Sequence, residues 1–135
     1  MTLSQQIRPP EQSRYPAEGL AGGVPGPLLA EISRAVVGIH REHFGRGPTR
    51  AKSHYDGELL VVVLGEMLTP LERLLTAAGM VDRVTELRRL AYALLEAELE
   101  RAVAEVVGQD ATITASQVLP DCDIGMHVFS IAPAV

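Results

Sequence analysis

Apolar residues recur at helical spacing along three stretches of the chain, and apolar and polar residues alternate along other stretches. The first helix is predicted over 27–44, because Pro27 suits a first helical turn and Gly45 suits a C-terminal stop. Its apolar positions follow the 3.6-residue period and predict a buried side. That side consists of Leu29, Ile32, Val36, Ile39 and His43.

The first β-hairpin is predicted around Asp56-Gly57, with strands over 51–55 and 58–64. An Asp-Gly pair favours a two-residue turn, which sets Tyr55 opposite Glu58. Because side chains alternate across a sheet, each strand contributes to two faces. One predicted face carries Arg50, Lys52, His54, Leu59, Val61 and Val63, and the other carries Ala51, Ser53, Tyr55, Leu60, Val62 and Leu64.

Two further helices are predicted in the middle of the chain. Thr69-Pro70-Leu71-Glu72 favours a helix start, with Thr69 as the cap and Glu72 closing a capping box, and this helix ends by Gly79. A longer helix is predicted over 82–107, with Arg88 among the charged residues of its solvated surface. Its predicted buried stripe is Val84, Leu87, Leu90, Ala91, Leu94, Leu95, Leu99, Ala102, Val103 and Val106.

A second hairpin, with strands over 112–118 and 124–131, completes the predicted fold. The order α-β-β-α-α-β-β predicts an α+β fold, in which a four-stranded antiparallel sheet made of two hairpins carries three helices on one face. Residues 27–135 form one predicted domain. Residues 1–26 are rich in Pro and Gly and are predicted to be a flexible N-terminal arm.

The other face of this sheet would expose apolar side chains. Leu59, Val61 and Val63 would lie in water, which is unfavourable for a continuous apolar surface. We therefore expect a homodimer in which this face packs against a second sheet or against the arm. The helices could instead sandwich the sheet.

Composition, charge and the absence of targeting patterns argue against several kinds of function. The net charge of −5 argues against nonspecific nucleic-acid binding by the whole surface, and the single cysteine excludes an internal disulfide. The sequence shows no secretory signal and no apolar run long enough to span a membrane. We expect a cytoplasmic location, or a peripheral one at the inner face of the membrane.

Basic residues cluster beside a Gly-x-Gly-Pro turn between the first helix and the first strand. Gly allows backbone N–H groups to approach a ligand closely, and Arg and Lys add positive charge. This combination predicts a site for a small anion or an acidic partner. The predicted ligand-binding residues are Gly45, Arg46, Gly47, Pro48, Thr49, Arg50 and Lys52. The alternative is that the two glycines and the proline only turn the chain.

No set of catalytic residues emerges from the sequence, so an enzyme is not predicted. No nucleophile elbow surrounds a serine, and no cofactor motif is present. His40 and His43 are close enough on a helix to share a metal, but a third ligand is missing, so no metal site is predicted. The alternative function is a nucleic-acid-binding module that uses the basic strand face of Arg50, Lys52 and His54; the acidic net charge and scarce aromatics rank it second.

Several motifs resemble the MpsC-like family, namely residues 31–42, Phe44-Gly45-Arg46-Gly47-Pro48-Thr49-Arg50-Ala51-Lys52, Leu68-Thr69-Pro70-Leu71-Glu72 and Pro120-Asp121. The family is named for a component of a bacterial cation-dependent membrane-potential-generating system associated with inorganic carbon uptake. The resemblance implies an accessory or regulatory domain that partners a membrane transporter subunit. By motif match, it also implies a shared site at Gly45, Arg46, Gly47, Pro48, Thr49 and Lys52.

Overall fold

A computed structural model describes residues 24–133, and the predicted order α-β-β-α-α-β-β is confirmed. Residues 1–23 of the predicted arm lie outside the described residues, whereas Val24 is buried in the core. The elements are α1 (Gly26–Phe44), β1 (Arg50–Tyr55), β2 (Leu59–Gly65), α2 (Pro70–Ala77), α3 (Val81–Val107), β3 (Ala111–Leu119) and β4 (Ile124–Ile131), with a 3-10 turn over Pro120–Cys122 between β3 and β4.

The four strands form one antiparallel sheet in the order β1-β2-β4-β3. Each hairpin contributes one edge strand and one central strand. The two hairpins therefore meet only through β2 and β4, where Val62 pairs with His127. A shift in register between Ile113 and Ala115 interrupts the regular pairing of β3 with β4.

The predicted register of the first hairpin is wrong by two residues. Tyr55 pairs with Leu60, not with Glu58, and the turn is centred on Gly57 and Glu58. The Asp56 carboxylate explains the shift, since it accepts the N–H groups of Glu58 and Leu59, both at 2.9 Å. Gly57 has a φ of 101°, which suits glycine at the first central position of such a turn.

A two-residue shift leaves each side chain on its predicted face, because the side-chain period of a strand is two. The buried strand residues share the side that contacts the helices; among them are Ser53, Tyr55, Leu60, Val62, Leu64, His127 and Phe129. We call the opposite side the open face, since its side chains are exposed or half-buried. It carries Arg50, Lys52, His54, Leu59, Val61, Val63, Ile124, Met126, Val128 and Ser130.

Two predictions about helix burial are wrong in part. His43 of α1 is exposed, and His40 is buried in its place. On α3 the predicted stripe was too wide for one side of a helix, so Leu87, Leu90 and Leu94 point to solvent. The buried residues of α3 are Val84, Arg88, Tyr92, Leu95, Leu99 and Val103. The helix is therefore rotated so that Arg88 and Tyr92 face polar partners in the interior.

The predicted capping box at the start of α2 is confirmed. The Thr69 hydroxyl accepts the N–H of Glu72 at 3.2 Å, and the Glu72 carboxylate accepts the N–H of Thr69 at 2.9 Å. Pro70 occupies the first helical position, where a missing N–H has no cost. Glu72 is buried, so the cap also fixes a carboxylate inside the protein.

Candidate functional site

A cleft of about 700 Å³ lies between α1 and the edge strand β1. The α1 side contributes residues between Gly26 and Arg41, and the strand side contributes Ala51 to Ser53. Its volume falls in the range of small-ligand sites. Its lining consists of Gly26, Leu29, Ala30, Ser33, Arg34, Val37, Arg41, Pro48, Thr49, Ala51, Lys52 and Ser53.

The lining of this α1–β1 cleft is positively charged. Arg34, Arg41 and Lys52 line it, and no Asp or Glu of the described residues does. Arg34 and Arg41 are seven residues apart on α1, so both lie along one side of the helix about 10 Å apart. Within residues 24–133, none of these three cations is in an ion pair. The cleft thus presents positive charge that no carboxylate of the described chain neutralises.

Polar groups add hydrogen-bonding capacity to the α1–β1 cleft. The Ser33 and Ser53 hydroxyl oxygens lie 2.7 Å apart, and one hydroxyl donates to the other. Both side chains are buried. Because β1 pairs only with β2, the backbone groups along its outer edge have no strand partner in the described part of the chain. An anionic group in this cleft would meet hydroxyls and guanidinium groups.

The structure brings only part of the predicted ligand-binding set to this cleft, namely Pro48, Thr49 and Lys52. Gly45 ends α1 with a φ of 83°, and Gly47 packs against Val37. Arg46 donates to the Leu68 carbonyl at 3.1 Å. These contacts connect the turn to α1 and to the segment before α2.

Two members of the predicted set contact residues in or just after β2: Arg50, and Thr49, which also lines the cleft. Arg50 pairs with Gly65 across the β1–β2 ladder, and its guanidinium group lies against that glycine. The Thr49 hydroxyl donates to the Glu66 carboxylate. Gly45, Arg46, Gly47 and Arg50 therefore do not line the cleft, whereas Arg34 and Arg41, which were not predicted, do. The seven-residue spacing of these two arginines, which places both on one side of a helix, was the sequence signal that could have identified them.

A chain of buried polar side chains crosses the interior beneath α1 and α3. Arg88 donates to both oxygens of Glu72, to the Tyr92 hydroxyl at 3.1 Å and to the Met67 carbonyl at 3.1 Å. The Arg88 guanidinium carbon also lies 3.8 Å from the centre of the Phe44 ring. The buried charges of Arg88 and Glu72 are thus paired and hydrogen-bonded inside the core, which burial of charge requires.

Two histidines continue this chain toward the sheet. His40 Nδ1 lies 3.0 Å from the Val36 carbonyl, which can only accept, so Nδ1 carries the proton. His40 Nε2 is then the acceptor for the Tyr92 hydroxyl at 3.1 Å and faces His127 Nε2 at 3.4 Å. Because His40 Nε2 has no proton, His127 Nε2 carries one and faces it, which leaves His127 Nδ1 to accept from the Ser116 hydroxyl at 2.7 Å. All these bonds are compatible with two neutral imidazoles.

Burial sets the ionisation of this chain. Desolvation lowers the pKa of His40 to about 4 and that of His127 to about 3, and the positive charge of Arg88 lowers both further. Desolvation also raises the pKa of Tyr92 to about 12. Burial by itself raises the pKa of Glu72, but hydrogen bonds from Arg88 and Thr69 outweigh it, so the net shift is downward.

A separate group of ionisable side chains lies on the surface between α1 and α3. Ligand atoms of Glu42, His43 and Glu98 all lie within 4.8 Å of one another. His43 Nε2 is 3.0 Å from a Glu98 oxygen and 3.9 Å from a Glu42 oxygen. The contact between His43 and Glu98 accounts for this grouping, which joins the C-terminal end of α1 to the middle of α3.

Among residues 24–133, no helix has the length and hydropathy needed to cross a membrane. No curated protein and no solved structure matches the chain at a significant level. A family model described as "Na+-translocating membrane potential-generating system (MpsC)" matches residues 25–132, which is most of the chain. The resemblance of its sequence motifs is confirmed by this match: the chain belongs to the MpsC family.

Proposed function

We propose that this chain is a non-catalytic accessory or regulatory domain of a membrane ion-transport system, and that it binds an anionic group in the α1–β1 cleft. Membership of a family described as a membrane potential-generating system supports the first part of the proposal. The second part rests on one observation. Arg34, Arg41 and Lys52 line a cleft that contains no carboxylate, and none of them is in an ion pair within the described residues.

The chemistry of the α1–β1 cleft favours binding over bond breaking. The guanidinium groups of Arg34 and Arg41 can each donate two parallel hydrogen bonds to a carboxylate, carbonate or phosphate. Lys52 lines the cleft on the edge strand, but its side chain leaves β1 on the open face, so the two arginines are the main ligands for an anion. The buried histidines are held neutral and paired away from this cleft, so they do not act as acid or base there.

A thermal-shift and calorimetric titration tests the cleft. The probes are bicarbonate, phosphate, nucleotides and short nucleic acids, applied to the wild type and to Arg34→Gln/Arg41→Gln. A ligand that binds the native state raises Tm, and loss of two charge-assisted contacts weakens affinity by at least about 10-fold. Arg101→Gln, another exposed arginine, is the matched control and keeps full affinity. Equal affinity of the wild type and the double variant would contradict the proposed site.

The predicted role of Arg46 stays a prediction and is tested in the same experiment. Arg46→Ala removes the hydrogen bond to the Leu68 carbonyl without altering the lining of the α1–β1 cleft. If the Gly-Arg-Gly-Pro turn itself holds the anion, this variant loses the shift while Arg34→Gln/Arg41→Gln keeps it. If the cleft holds the anion, the pattern is reversed.

The nucleic-acid alternative also stays a prediction. Arg50, Lys52 and His54 lie on the open face, at alternate positions along β1. Phosphate contacts make binding fall steeply as salt increases. Binding of a short nucleic acid that weakens about 10-fold or more between 50 and 200 mM salt, is lost in Arg50→Gln/His54→Gln and is kept in Arg34→Gln/Arg41→Gln supports this alternative over the cleft.

A further inference from the structure

The outward side of α3 exposes a row of large apolar side chains. Leu94 keeps 86% of its surface in solvent, and Leu87 and Leu90 keep 51% and 50%. The same helix buries Val84, Leu95 and Leu99 on its opposite side. Contacts within the described chain therefore cover only one of the two apolar sides of α3. Exposed apolar rows of this kind mark interaction surfaces.

The spacing of this row is that of a contact between two helices. Leu87, Leu90, Leu94 and Ala97 follow one another at intervals of three, four and three residues, the a and d spacing of a coiled coil. We call these four residues the outer row of α3. Arg83 and Arg101 occupy the next positions and end it, so the outer row is about 15 Å long.

The outer row is complementary to itself when reversed. Its intervals read the same in both directions, and an antiparallel alignment about its midpoint sets Leu90 opposite Leu94 of the second helix. Leu87 then faces Ala97, so a large side chain meets a small one. Because the midpoint lies within about two residues of the middle of α3, two copies overlap along nearly the whole helix, which is about 40 Å long.

The charges at the ends suit the same alignment. Asp82 of the second copy comes within one residue of the level of Arg101. Glu100 does not contribute, because its carboxylate accepts the Ile113 N–H at 2.8 Å. The two arginines also face each other across the ends, where their long side chains reach solvent. The Asp82 carboxylate at each end of the pair offsets the repulsion between the two arginines and favours the antiparallel alignment.

We propose that the outer row of α3 is a homodimer contact, in which α3 of a second copy packs antiparallel against it. This places the contact on the helical side of the protein, opposite the open face on which the sequence predicted a dimer. A two-fold axis through the midpoint between Leu90 and Leu94 relates the two copies, and the same residues contribute from each side.

Sedimentation equilibrium tests the proposal with three charged variants of the full chain. The wild type is expected at about twice its 14.5 kDa mass, and Leu94→Glu at 14.5 kDa, with dimer affinity reduced at least about 100-fold. Leu74→Glu replaces a leucine of α2 that is 65% exposed, and it keeps the dimer. Circular dichroism checks that each variant is folded.

The third variant, on the open face, separates this contact from the sheet contact. If Val63→Glu dissociates the dimer and Leu94→Glu does not, the sheet contact is right and the proposal is overturned. A wild type that stays at 14.5 kDa up to about 1 mM overturns it as well, since a contact that weak is worth less than about 4 kcal/mol.

Charged substitutions test the antiparallel alignment. Leu87→Lys and Ala97→Glu each weaken the dimer. The double variant regains affinity at least about 10-fold, because the ammonium group introduced at position 87 then faces the carboxylate introduced at position 97 of the other copy. A parallel pair would instead set like charges against each other. Failure of the double variant to regain affinity would overturn the antiparallel alignment.

Discussion

Arg88 and Glu72 form a two-bond ion pair inside the core, with Nε 2.7 Å from one carboxylate oxygen and Nη2 2.6 Å from the other. The same carboxylate accepts the N–H of Thr69 at the start of α2. One carboxylate therefore fixes the start of α2 and its packing against α3 at once. Neither residue was predicted to be buried, because charged side chains are almost never fully buried unless they are paired.

Breaking this ion pair from one side is expected to destabilise the fold strongly. Glu72→Gln keeps a carbonyl for the Thr69 N–H but leaves the buried guanidinium without its charge partner, at a cost of about 3–5 kcal/mol. Glu86→Gln, in the exposed pair with Arg89, is the control and is expected to leave the free energy of unfolding nearly unchanged. Urea unfolding measures both, and equal losses for the two variants would contradict the role of burial.

Stability is expected to fall as the solution is acidified below pH 6.5. His40 and His127 have folded-state pKa values of about 4 and about 3, so both stay neutral where the unfolded chain, with a histidine pKa near 6.5, binds protons. The unfolded state binds more protons throughout this range, so each histidine contributes stability that is present above pH 6.5 and lost toward pH 4.

The slope of the loss is about half of 1.4 kcal/mol per pH unit at pH 6.5 for each histidine and approaches about 1.4 kcal/mol per pH unit near pH 5.5. Urea unfolding between pH 7.5 and pH 5 measures it, and imidazole proton NMR assigns it to residues. The ring signals of His40 and His127 are expected to stay constant over that range. If the ring signal of either histidine titrates near pH 6.5, that histidine is protonated in the folded state below this pH, which would contradict the prediction.

Gly125 is expected to accept a side chain only if the Met67 side chain moves. A Cβ atom there would collide with Met67 Sδ, and Met67 is buried beneath the sheet. Gly125→Ala therefore costs about 1–3 kcal/mol through overpacking. Gly38, inside α1, has no atom within 4 Å of the place that a Cβ would take, so Gly38→Ala stabilises by about 0.5–1 kcal/mol. Thermal unfolding of the two variants in opposite directions is the expected result.

Asp123 is expected to anchor the segment before α2. Its Oδ1 accepts the N–H groups of Met67 at 2.8 Å and Leu68 at 2.9 Å, and its own φ is 53°. Asp123→Ala leaves two backbone donors unpaired and forces Ala into a left-handed conformation, at a cost of about 2–4 kcal/mol.

Asp123→Asn is the matched control for this anchor. It keeps the accepting oxygen, tolerates the conformation and loses only the exposed ion pair with Arg73, so it costs at most about 1 kcal/mol. Chemical unfolding of the two variants measures the difference. If Asp123→Asn lowers the free energy of unfolding as much as Asp123→Ala does, the stabilisation comes from the charge of Asp123 and not from its hydrogen bonds to the backbone.

Local signals predicted the elements of this fold well. The Thr69 capping box, the Gly45 helix end and the face assignment of both strands of the first hairpin all depend on neighbouring residues. The register depended on a side chain, since the Asp56 carboxylate binds two N–H groups and moves the turn. The pattern of apolar and polar residues does not indicate this side-chain hydrogen bonding.

The candidate site was predicted less well, because it depends on which sides of the elements face each other. Apolar periodicity treats Arg88 as a surface residue and Leu94 as a core residue, and both assignments are reversed. Arg34 and Arg41 belong to a helix and Lys52 to a strand, so only the packing of α1 against β1 shows that they line one cleft. Tertiary packing, not local propensity, decides such positions.

The meeting of the hairpins at β2 and β4 has a consequence for how the chain folds. Val62 and His127 are about 65 residues apart in sequence, with α2 and α3 between them, whereas each hairpin closes a short loop. Both hairpins and the helical pair can form early, but the central ladder must wait for closure of the longest loop. We expect this ladder to limit the folding rate, so that substitutions at the β2–β4 contact slow refolding more than equally destabilising ones at either edge strand.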